Sequence, residues 1–361
     1  MPSAAPDLVV ETPEGLYCPA GGFHIDPWRP VERAVITHAH ADHARAGHTH
    51  YLASAASAQV LRARLGSGIT LQTLAWRERL AHNGVTLSLH PAGHVLGSAQ
   101  LRIEQPGRVW VAAGDFRLDG SAEAADDNPT CEPFEPVRCD CFITESTFGL
   151  PIYRWPASRT VFADIDAWWR GNAAAGRPSL LLGYSFGKAQ RLLAGVDADI
   201  GPIFVHGAVE TLNRAYRASG IALPATRLVG QVTDRNDFRG ALIVAPPSVQ
   251  GSAWTRRFAS VGGGVSDAFA SGWMQLRGTR RRRGVDRGFV LSDHADWPGL
   301  QRAIAESGAE RVIVTHGYEA VLVRWLQEQG LAAGSFRTEY GDEALDEAAS
   351  AAADAASAEA G

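Results

Sequence analysis

Lysine is almost absent from this chain of 361 residues. Of its 34 basic residues, one is Lys188 and the other 33 are arginine. The formal net charge is −5, so the chain lacks the general basic excess of a protein that coats nucleic acid. This net charge is compatible with a local basic groove. Bound divalent cations would also offset part of the acidic count.

Cysteine is also scarce, and no two cysteines form a Cys-x-x-Cys pair. The four thiols, Cys18, Cys131, Cys139 and Cys141, show neither zinc-type nor disulfide-framework spacing, so we expect reduced thiols. The sequence has no apolar run of bilayer length and no charged-then-apolar leader. These absences predict a cytoplasmic protein without a membrane partner, and the 45% hydrophobic and 20% charged residues are typical of a soluble enzyme.

Metal-binding side chains are concentrated in the run Thr37-His38-Ala39-His40-Ala41-Asp42-His43, directly after Val35-Ile36. In an extended segment His38 and His40 share a face, whereas Asp42 and His43 fall at the turn into the next element. Three imidazoles and a carboxylate in six positions leave little to pack in a core. The run therefore indicates metal binding, and its geometry suits two neighbouring ions better than one.

Two textures divide the chain. Short β-type runs separated by Pro and Gly extend from residue 7 to about 145, and they include a hairpin with Pro106-Gly107 at its turn. From about residue 155, strands alternate with helices, which predicts an α/β region with a parallel sheet. The strand texture returns at Gly288.

Metal-type residues recur at the predicted carboxyl ends of strands. Such ends meet at a sheet rim and bring their side chains together. The positions are His38 and His40, His94, Asp115, Glu145, His294 and His316. One such coincidence is weak, but six in one chain predict a site.

These residues, taken in order, resemble a known family. Asp26, the run from His38 to His43, His94 and Asp115 resemble the metallo-β-lactamase fold. Glu145, His294 and His316 resemble the additional motifs of its β-CASP nuclease branch. The phrases Glu145-Ser146-Thr147-Phe148-Gly149, Ser271-Gly272-Trp273-Met274 and Leu291-Ser292-Asp293-His294-Ala295-Asp296-Trp297 resemble bacterial ligase-associated DNA exonucleases. The resemblance covers about residues 8 to 340.

The resemblance implies an α/β fold, namely a metallo-β-lactamase αββα sandwich with an inserted α/β β-CASP domain. Its parts would be residues 1–160 (first part of the metallo-β-lactamase domain), 161–286 (insertion) and 287–341 (second part). Residues 342–361, rich in Ala and acidic residues, are predicted to be a disordered tail.

The resemblance also implies two divalent metal ions, zinc by ligand type, with manganese as an alternative. His38, His40 and His94 would bind one ion, and Asp42, His43 and His316 the other, with Asp115 bridging both. The implied catalytic set is Asp115, Glu145, His294 and Asp26, in which Asp26 orders the metal-binding loop by hydrogen bonds. Glu145 would fix the imidazole of His294 beside the scissile phosphate.

Candidate nucleic-acid contacts rest on less specific patterns. They are Lys188, Ser271, Trp273, Arg280, Arg281, Arg282 and Arg283. Lys188 lies at a strand-to-helix junction that could bind phosphate, but it equally fits an exposed helix start. The arginine run could line a cleft or form a solvated loop. Trp273 and Trp297 could stack on a base or belong to the core.

The remaining histidines carry no such pattern, and we expect them to be structural or solvent-facing. They are His24, His48, His50, His82, His90 and His206, of which His206 is the strongest exception because it ends a predicted strand.

The leading hypothesis is a two-metal phosphodiester hydrolase that acts as a DNA exonuclease from 5′ ends in repair, functionally linked to a DNA ligase and a helicase. The alternative is an RNA-processing β-CASP ribonuclease, either an endonuclease or a 5′-exonuclease, because RNA-processing members of the branch tend to carry His at the position of His316. Two further alternatives are a small-molecule thioesterase or lactonase of the same fold and a catalytically inactive subunit. The additional motifs argue against the former, and the full ligand set argues against the latter.

Overall fold

The computed structural model describes residues 6–120, 128–278 and 284–340. The described residues form two compact units. The first contains residues 6–120, 131–152 and 294–340, and the second contains residues 128–130, 153–278 and 284–293. The predicted domain boundaries at 160, 286 and 341, and the identity assigned to each domain, stay predictions. The predicted tail 342–361 lies outside the described residues.

The strands and helices are numbered in chain order over the described residues. The strands are β1 (Val10–Glu11), β2 (Leu16–Cys18), β3 (Phe23–Ile25), β4 (Arg33–Val35), β5 (His50–Ser54), β6 (Leu71–Leu74), β7 (Leu80–His82), β8 (Val85–Pro91), β9 (Ala99–Gln105), β10 (Arg108–Ala112), β11 (Cys141–Ser146), β12 (Ser179–Leu182), β13 (Ile203–Val205), β14 (Arg227–Leu228), β15 (Leu242–Ala245), β16 (Ser266–Ala270), β17 (Arg287–Phe289), β18 (Arg311–Gly317) and β19 (Ala332–Ser335). The α-helices are α1 (Ala58–Leu65), α2 (Ser158–Ala174), α3 (Lys188–Gly195), α4 (Gly207–Ala218), α5 (Trp297–Ser307) and α6 (Glu319–Glu328).

The first unit contains two sheets. One has the strand order β1-β2-β3-β4-β5-β6, and the other has the order β19-β18-β11-β10-β9-β8-β7. In the second sheet, β7 to β10 form an antiparallel meander, whereas β10, β11, β18 and β19 run parallel. The carboxyl ends of the parallel strands therefore lie at one edge of that sheet.

Alternating side chains of the central strand β11 enter two different cores, as the pleat of a strand requires. Cys141 and Ile143 join a core to which both sheets contribute. Phe142, between them, joins a second core with Leu300 of α5 and Leu322 of α6. The first unit is thus a sheet-on-sheet sandwich with helices on the outer face of the second sheet.

The second unit is built on one fully parallel sheet with the order β14-β13-β15-β12-β16-β17. Helices α2, α3 and α4 cover one face, where Trp169 and Leu192 pack against strand residues such as Leu181. The other face packs against loop side chains that include Phe238 and Phe258. The prediction of an α/β region with a parallel sheet is confirmed.

Most predicted strands are confirmed, and the hairpin at Pro106-Gly107 is present as β9 and β10. The β-type pattern noted from residue 7 forms a strand only from Val10, because Leu8 and Val9 are core residues in irregular backbone. The strand pattern that returns at Gly288 gives a strand that ends at Phe289, and the chain continues to His294 as a loop.

Among the helices that the structure describes, none has both the length and the apolar character needed to cross a bilayer.

Candidate metal centre

A single carboxylate holds the histidine-rich loop that follows β4. Asp26, in a left-handed conformation with φ +43°, accepts from the Thr37 backbone N–H (N to Oδ1, 2.7 Å) and from the Thr37 hydroxyl (Oγ1 to Oδ2, 2.5 Å). Its Oδ2 also lies 2.8 Å from His43 Nδ1. Because these contacts fix both ends of the run, the loop from Thr37 to His43 has a defined shape.

Three imidazoles and one carboxylate meet beside this loop. The ligand atoms of His38, His40, His94 and Asp115 all lie within 4.8 Å of one another, and all four residues are buried. His94 Nε2 is 3.0 Å from His40 Nδ1, and His38 Nε2 is 3.5 Å from Asp115 Oδ2. This cluster could hold one metal ion.

Asp115 also belongs to a second cluster, formed with His43 and His316. His43 Nε2 lies 3.5 Å from Asp115 Oδ2, and His316 Nε2 lies 3.1 Å from Asp115 Oδ1. The carboxylate of Asp42 adds an oxygen 3.6 Å from His43 Nε2. The two clusters thus share one carboxylate, whose two oxygens face different imidazoles.

The close approach of the loops depends on a glycine. Gly114, at φ +59°, precedes Asp115, and a Cβ there would lie 2.6 Å from the Thr37 hydroxyl oxygen. A larger residue would be strained by both its backbone conformation and this contact. Gly114 therefore lets the segment that carries Asp115 pack against the histidine-rich loop.

The charges of the two clusters are strongly coupled. Burial lowers the pKa of His43, but the carboxylates of Asp115, Asp42 and Asp26 outweigh burial and raise that pKa to about 10. Burial raises the pKa of Asp115, but the charge of His43, the largest opposing cause, holds it well below its usual range. Burial and the His43 charge lower the pKa of His38 well below its usual range, which favours the neutral imidazole that binds a cation.

A buried Glu–His pair lies beside the shared carboxylate. His294 Nδ1 is 2.8 Å from Glu145 Oε2, and the Phe116 backbone N–H donates to Glu145 Oε1 at 2.8 Å. The His294 ring packs against that of His94 with centroids 4.5 Å apart. Ligand atoms of Asp115, Glu145 and His294 lie within 4.8 Å of one another, so this pair adjoins the first cluster.

The hydrogen bonds of the histidine nitrogens indicate that these residues fit divalent cations. His38 Nδ1 faces the Thr37 hydroxyl and His43 Nδ1 faces Asp26, while the opposite nitrogen of each ring, Nε2, is buried without a hydrogen-bond partner among the described residues. Metal-binding histidines show this pattern: the far ring nitrogen is held by a hydrogen bond and the near one is presented to the ion.

The predicted site residues therefore come together, but not at one edge of one sheet as the sequence suggested. His38, His40, Asp42 and His43 follow β4 of the six-stranded sheet. The other sheet supplies four residues from strands or strand ends: His94 after β8, Asp115 after β10, Glu145 within β11 and His316 within β18. His294 lies in a loop.

Lys188 is placed differently from the expectation. Its ammonium is buried within the second unit, donates to the Leu291 carbonyl at 2.8 Å and lies 2.9 Å from Asp293 Oδ2. Arg191, one turn along α3, donates to the Ser292 carbonyl and lies 2.8 Å from Asp293 Oδ1. The geometry gives Lys188 an internal role in place of an exposed position at a helix start.

The other candidate nucleic-acid contacts divide by burial. Ser271 is buried, and its hydroxyl accepts from the Trp273 backbone N–H at 3.3 Å. Trp273 is half-buried, with its ring edge-on to Tyr153 at 5.9 Å between centroids. Trp297 is buried and packs edge-on against Trp325, as expected of the core alternative. The arginine run 280–283 lies outside the described residues.

None of the six remaining histidines belongs to a potential metal cluster among the described residues. His206, the expected exception, is buried and uses Nδ1 to accept from the Ala208 backbone N–H at 3.3 Å, which caps α4. His90 Nδ1 lies 3.1 Å from Glu135. His206 and His90 thus have structural partners of their own.

Sequence reasoning missed three residues around the centre. The hydroxyls of Thr37 and Thr315 lie 3.0 Å from Nδ1 of the histidine that follows each, His38 and His316. The repeated Thr-His dipeptide at the end of a β-type run was a readable signal for both threonines. Tyr340 stacks on His43 with ring centroids 4.3 Å apart and planes 18° apart. No spacing or motif connects Tyr340 to the histidines.

Comparison with known proteins finds relatives in nucleic-acid metabolism. A probable DNA ligase of Opitutus terrae (strain DSM 11246 / JCM 15787 / PB90-1) is 34% identical over 329 residues, which is 90% of this chain and 30% of the relative. A cleavage and polyadenylation specificity factor subunit 3 of Dictyostelium discoideum is 28% identical over 130 residues, 35% of this chain and 16% of the relative. The chain thus spans less than a third of each relative.

A solved structure shows the same fold. A protein of unknown function from Enterococcus faecalis V583 superposes with a TM-score of 0.54 at 11% identity, covering 86% of this chain and 80% of the other. No family model matches the chain.

Proposed function

We propose that the chain is a metal-dependent nuclease with a metallo-β-lactamase fold of the β-CASP branch. The observation that carries the proposal is the pair of largely buried histidine clusters that share Asp115. Two cations held by one carboxylate suit phosphodiester hydrolysis, because they activate water and neutralise charge on the phosphate oxygens when bound.

The ligand assignment follows the two clusters. His38, His40 and His94 would hold one ion, and Asp42, His43 and His316 the other, with Asp115 between them. Imidazole-rich ligation favours zinc, and manganese would suit the more carboxylate-rich second site. Asp26 binds no ion in this assignment, because its oxygens are engaged by Thr37 and His43.

The chain's own residues supply orientation and a proton. The Glu145 carboxylate, itself held by the Phe116 N–H, favours the His294 tautomer with its proton on Nδ1. When Nε2 is protonated as well, His294 could donate a hydrogen bond to the scissile phosphate or a proton to the leaving oxygen. The pair acts without binding an ion, so its loss should slow cleavage and leave metal affinity intact.

DNA is the proposed substrate, with degradation from 5′ ends during repair. The relative named a probable DNA ligase supports this choice, since 90% of this chain aligns with part of it. A functional link to a ligase, and to a helicase that would supply single strands, belongs to the same proposal.

RNA cleavage is the second candidate. His316 favours it, as does the alignment with a protein whose name describes cleavage and polyadenylation. The two candidates share the metal centre and differ in the sugar recognised and in whether cleavage must begin at an end.

One experiment tests the function and separates the candidates. Matched DNA and RNA oligonucleotides, each labelled at either the 5′ or the 3′ end, are incubated with Zn²⁺- or Mn²⁺-loaded protein. The proposal predicts mononucleotide or short products from the 5′ label of DNA and little change in RNA, and Asp115→Asn as the control abolishes them. Preferential RNA cleavage would support the alternative, and no cleavage of either would refute a nuclease.

A further inference from the structure

Tyr340 contacts both imidazoles of one cluster and no histidine of the other in any described contact. Its ring stacks on His43 at 4.3 Å and lies edge-on to His316 at 5.6 Å between centroids. The Tyr340 ring plane makes an angle of 18° with the His43 ring and 81° with the His316 ring. One aromatic side chain therefore contacts two imidazoles in two different orientations. Edge-on and stacked pairs of this kind stabilise the relative positions of the two rings beyond the effect of the area that they bury.

The backbone that carries Tyr340 is fixed to the same part of the centre. Thr338 donates from its hydroxyl to the Thr315 carbonyl at 2.7 Å, one residue before His316. Arg45, two residues after His43, donates to the Glu339 carbonyl at 3.1 Å. The segment is therefore tied to the chain beside both histidines that Tyr340 touches.

The Tyr340 ring has support of its own on further sides. Trp28 packs edge-on against the Tyr340 ring at 5.7 Å between centroids. The Tyr340 hydroxyl donates to the Ile25 carbonyl at 3.4 Å. The ring is thus held from several directions, and at 3.4 Å the hydroxyl contributes only a long hydrogen bond. The flat ring is the part of Tyr340 that meets the histidines.

The cluster that Tyr340 touches is also the more exposed one. The side chains of His316 and Asp42 are 13% and 12% exposed, against 0% and 1% for His38 and His94. His43 is 1% exposed and His40 is 9% exposed, so the difference between the clusters lies mainly in His316 and Asp42. Of the two imidazoles that Tyr340 contacts, His316 is therefore the one with less surrounding packing. An aromatic support has most effect where the surrounding packing is weakest.

We propose that Tyr340 is a positioning residue that holds the imidazoles of His43 and His316 toward the more exposed of the two divalent cations. The inference rests on the proposed two-metal assignment. It predicts that Tyr340 sets the affinity of one cation and leaves that of the other unchanged.

The test is a Zn²⁺ titration of metal-stripped protein against a chromophoric chelator. Wild type is expected to bind two equivalents. Tyr340→Ala is expected to bind one equivalent with wild-type affinity and the other about 10–100-fold more weakly, the usual range for loss of a group that orients a ligand. Tyr340→Phe keeps the ring and should restore the second equivalent.

Two further variants keep the test decisive. Tyr340→Leu keeps a bulky apolar side chain without a flat ring, and it should show the same loss of the second equivalent if Tyr340→Ala fails to fold. Tyr17→Ala removes a ring that packs on His24 at 4.6 Å outside both clusters, and it should bind two equivalents as wild type does.

Three results would overturn the inference. They are unchanged binding of both equivalents in Tyr340→Ala and Tyr340→Leu, equal weakening of both equivalents, and failure of Tyr340→Phe to restore binding. A wild-type protein that binds no Zn²⁺ would overturn the two-metal assignment itself, which separates failure of the proposed function from failure of this inference.

Discussion

His294 Nδ1 lies 2.8 Å from the carboxylate of Glu145, and both residues are buried beside the shared carboxylate of Asp115. The backbone N–H of Phe116 holds the same carboxylate from the other side at 2.8 Å. The Phe116 N–H thus orients the Glu145 carboxylate, which in turn orients the His294 imidazole. This arrangement is expected of a general acid or a phosphate-binding histidine.

Replacing Glu145 by Gln should therefore slow the chemical step without removing metal. We expect single-turnover cleavage to fall about 10²–10⁴-fold, the usual contribution of a positioned acid or base. Zn²⁺ binding should stay at two equivalents, since Glu145 is not a ligand in this assignment. The matched control is Glu135→Gln, which alters the Glu135–His90 pair (3.1 Å) away from the centre, and full activity is expected there. Loss of metal from Glu145→Gln would contradict the assigned role.

Asp26 should affect the metals without touching them. Asp26→Asn weakens the contacts that order Thr37 and His43, so Zn²⁺ affinity should fall about 10–100-fold. Competition with a chelator measures this directly. Asp140→Asn is the control, because Asp140 likewise accepts a backbone N–H, that of Val109, in the same unit. Unchanged affinity in Asp26→Asn would show that the loop keeps its shape without the carboxylate.

Lys188 gives the chain an internal reporter, since it is the single lysine of the sequence. Its buried ammonium pairs with Asp293, so an amine-reactive reagent should modify Lys188 in the unfolded chain and leave it unmodified in the native one, apart from any α-amino group. Peptide mass analysis after native and denaturing labelling checks this. Lys188→Met should destabilise the protein by about 3 kcal/mol, because the buried carboxylate of Asp293 loses a cationic partner. Rapid native labelling would contradict the burial.

His206 should make stability depend on acid pH. Burial lowers its pKa to about 4, below the ordinary value near 6.5, so the unfolded chain takes up the proton first. The stability that neutral His206 provides is complete above about pH 6.5 and is lost as pH falls toward about 4. His206→Asn keeps a capping acceptor but does not titrate. Urea unfolding at pH 7 and pH 4.5 should show a loss in wild type about 2 kcal/mol larger than in the variant. Equal losses would contradict the shift.

The histidine-rich run shows how far sequence reasoning reached. The run from His38 to His43 predicts a metal site, because few other roles suit three imidazoles in six residues. His38 and His40 both lie in a cluster with Asp115 that could hold a metal ion. Local periodicity likewise gave the hairpin at Pro106-Gly107 and the parallel sheet of the second unit.

Lys188 and Tyr340 show where that reasoning ended. A lysine at a helix start is expected to be exposed to solvent. Lys188 is instead buried beside Asp293, which lies 105 positions away in the sequence. Tyr340 meets His43 only through the return of the chain beyond β19. Contacts of this kind are set by tertiary packing, to which local patterns are blind.

The most direct test of the account is a stepwise Zn²⁺ titration of metal-stripped protein with cleavage of 5′-labelled DNA measured at each step. The account predicts no cleavage by the stripped protein and maximal cleavage only as the second equivalent binds, because two clusters share Asp115. Cleavage without metal, or maximal cleavage at one equivalent, would contradict it.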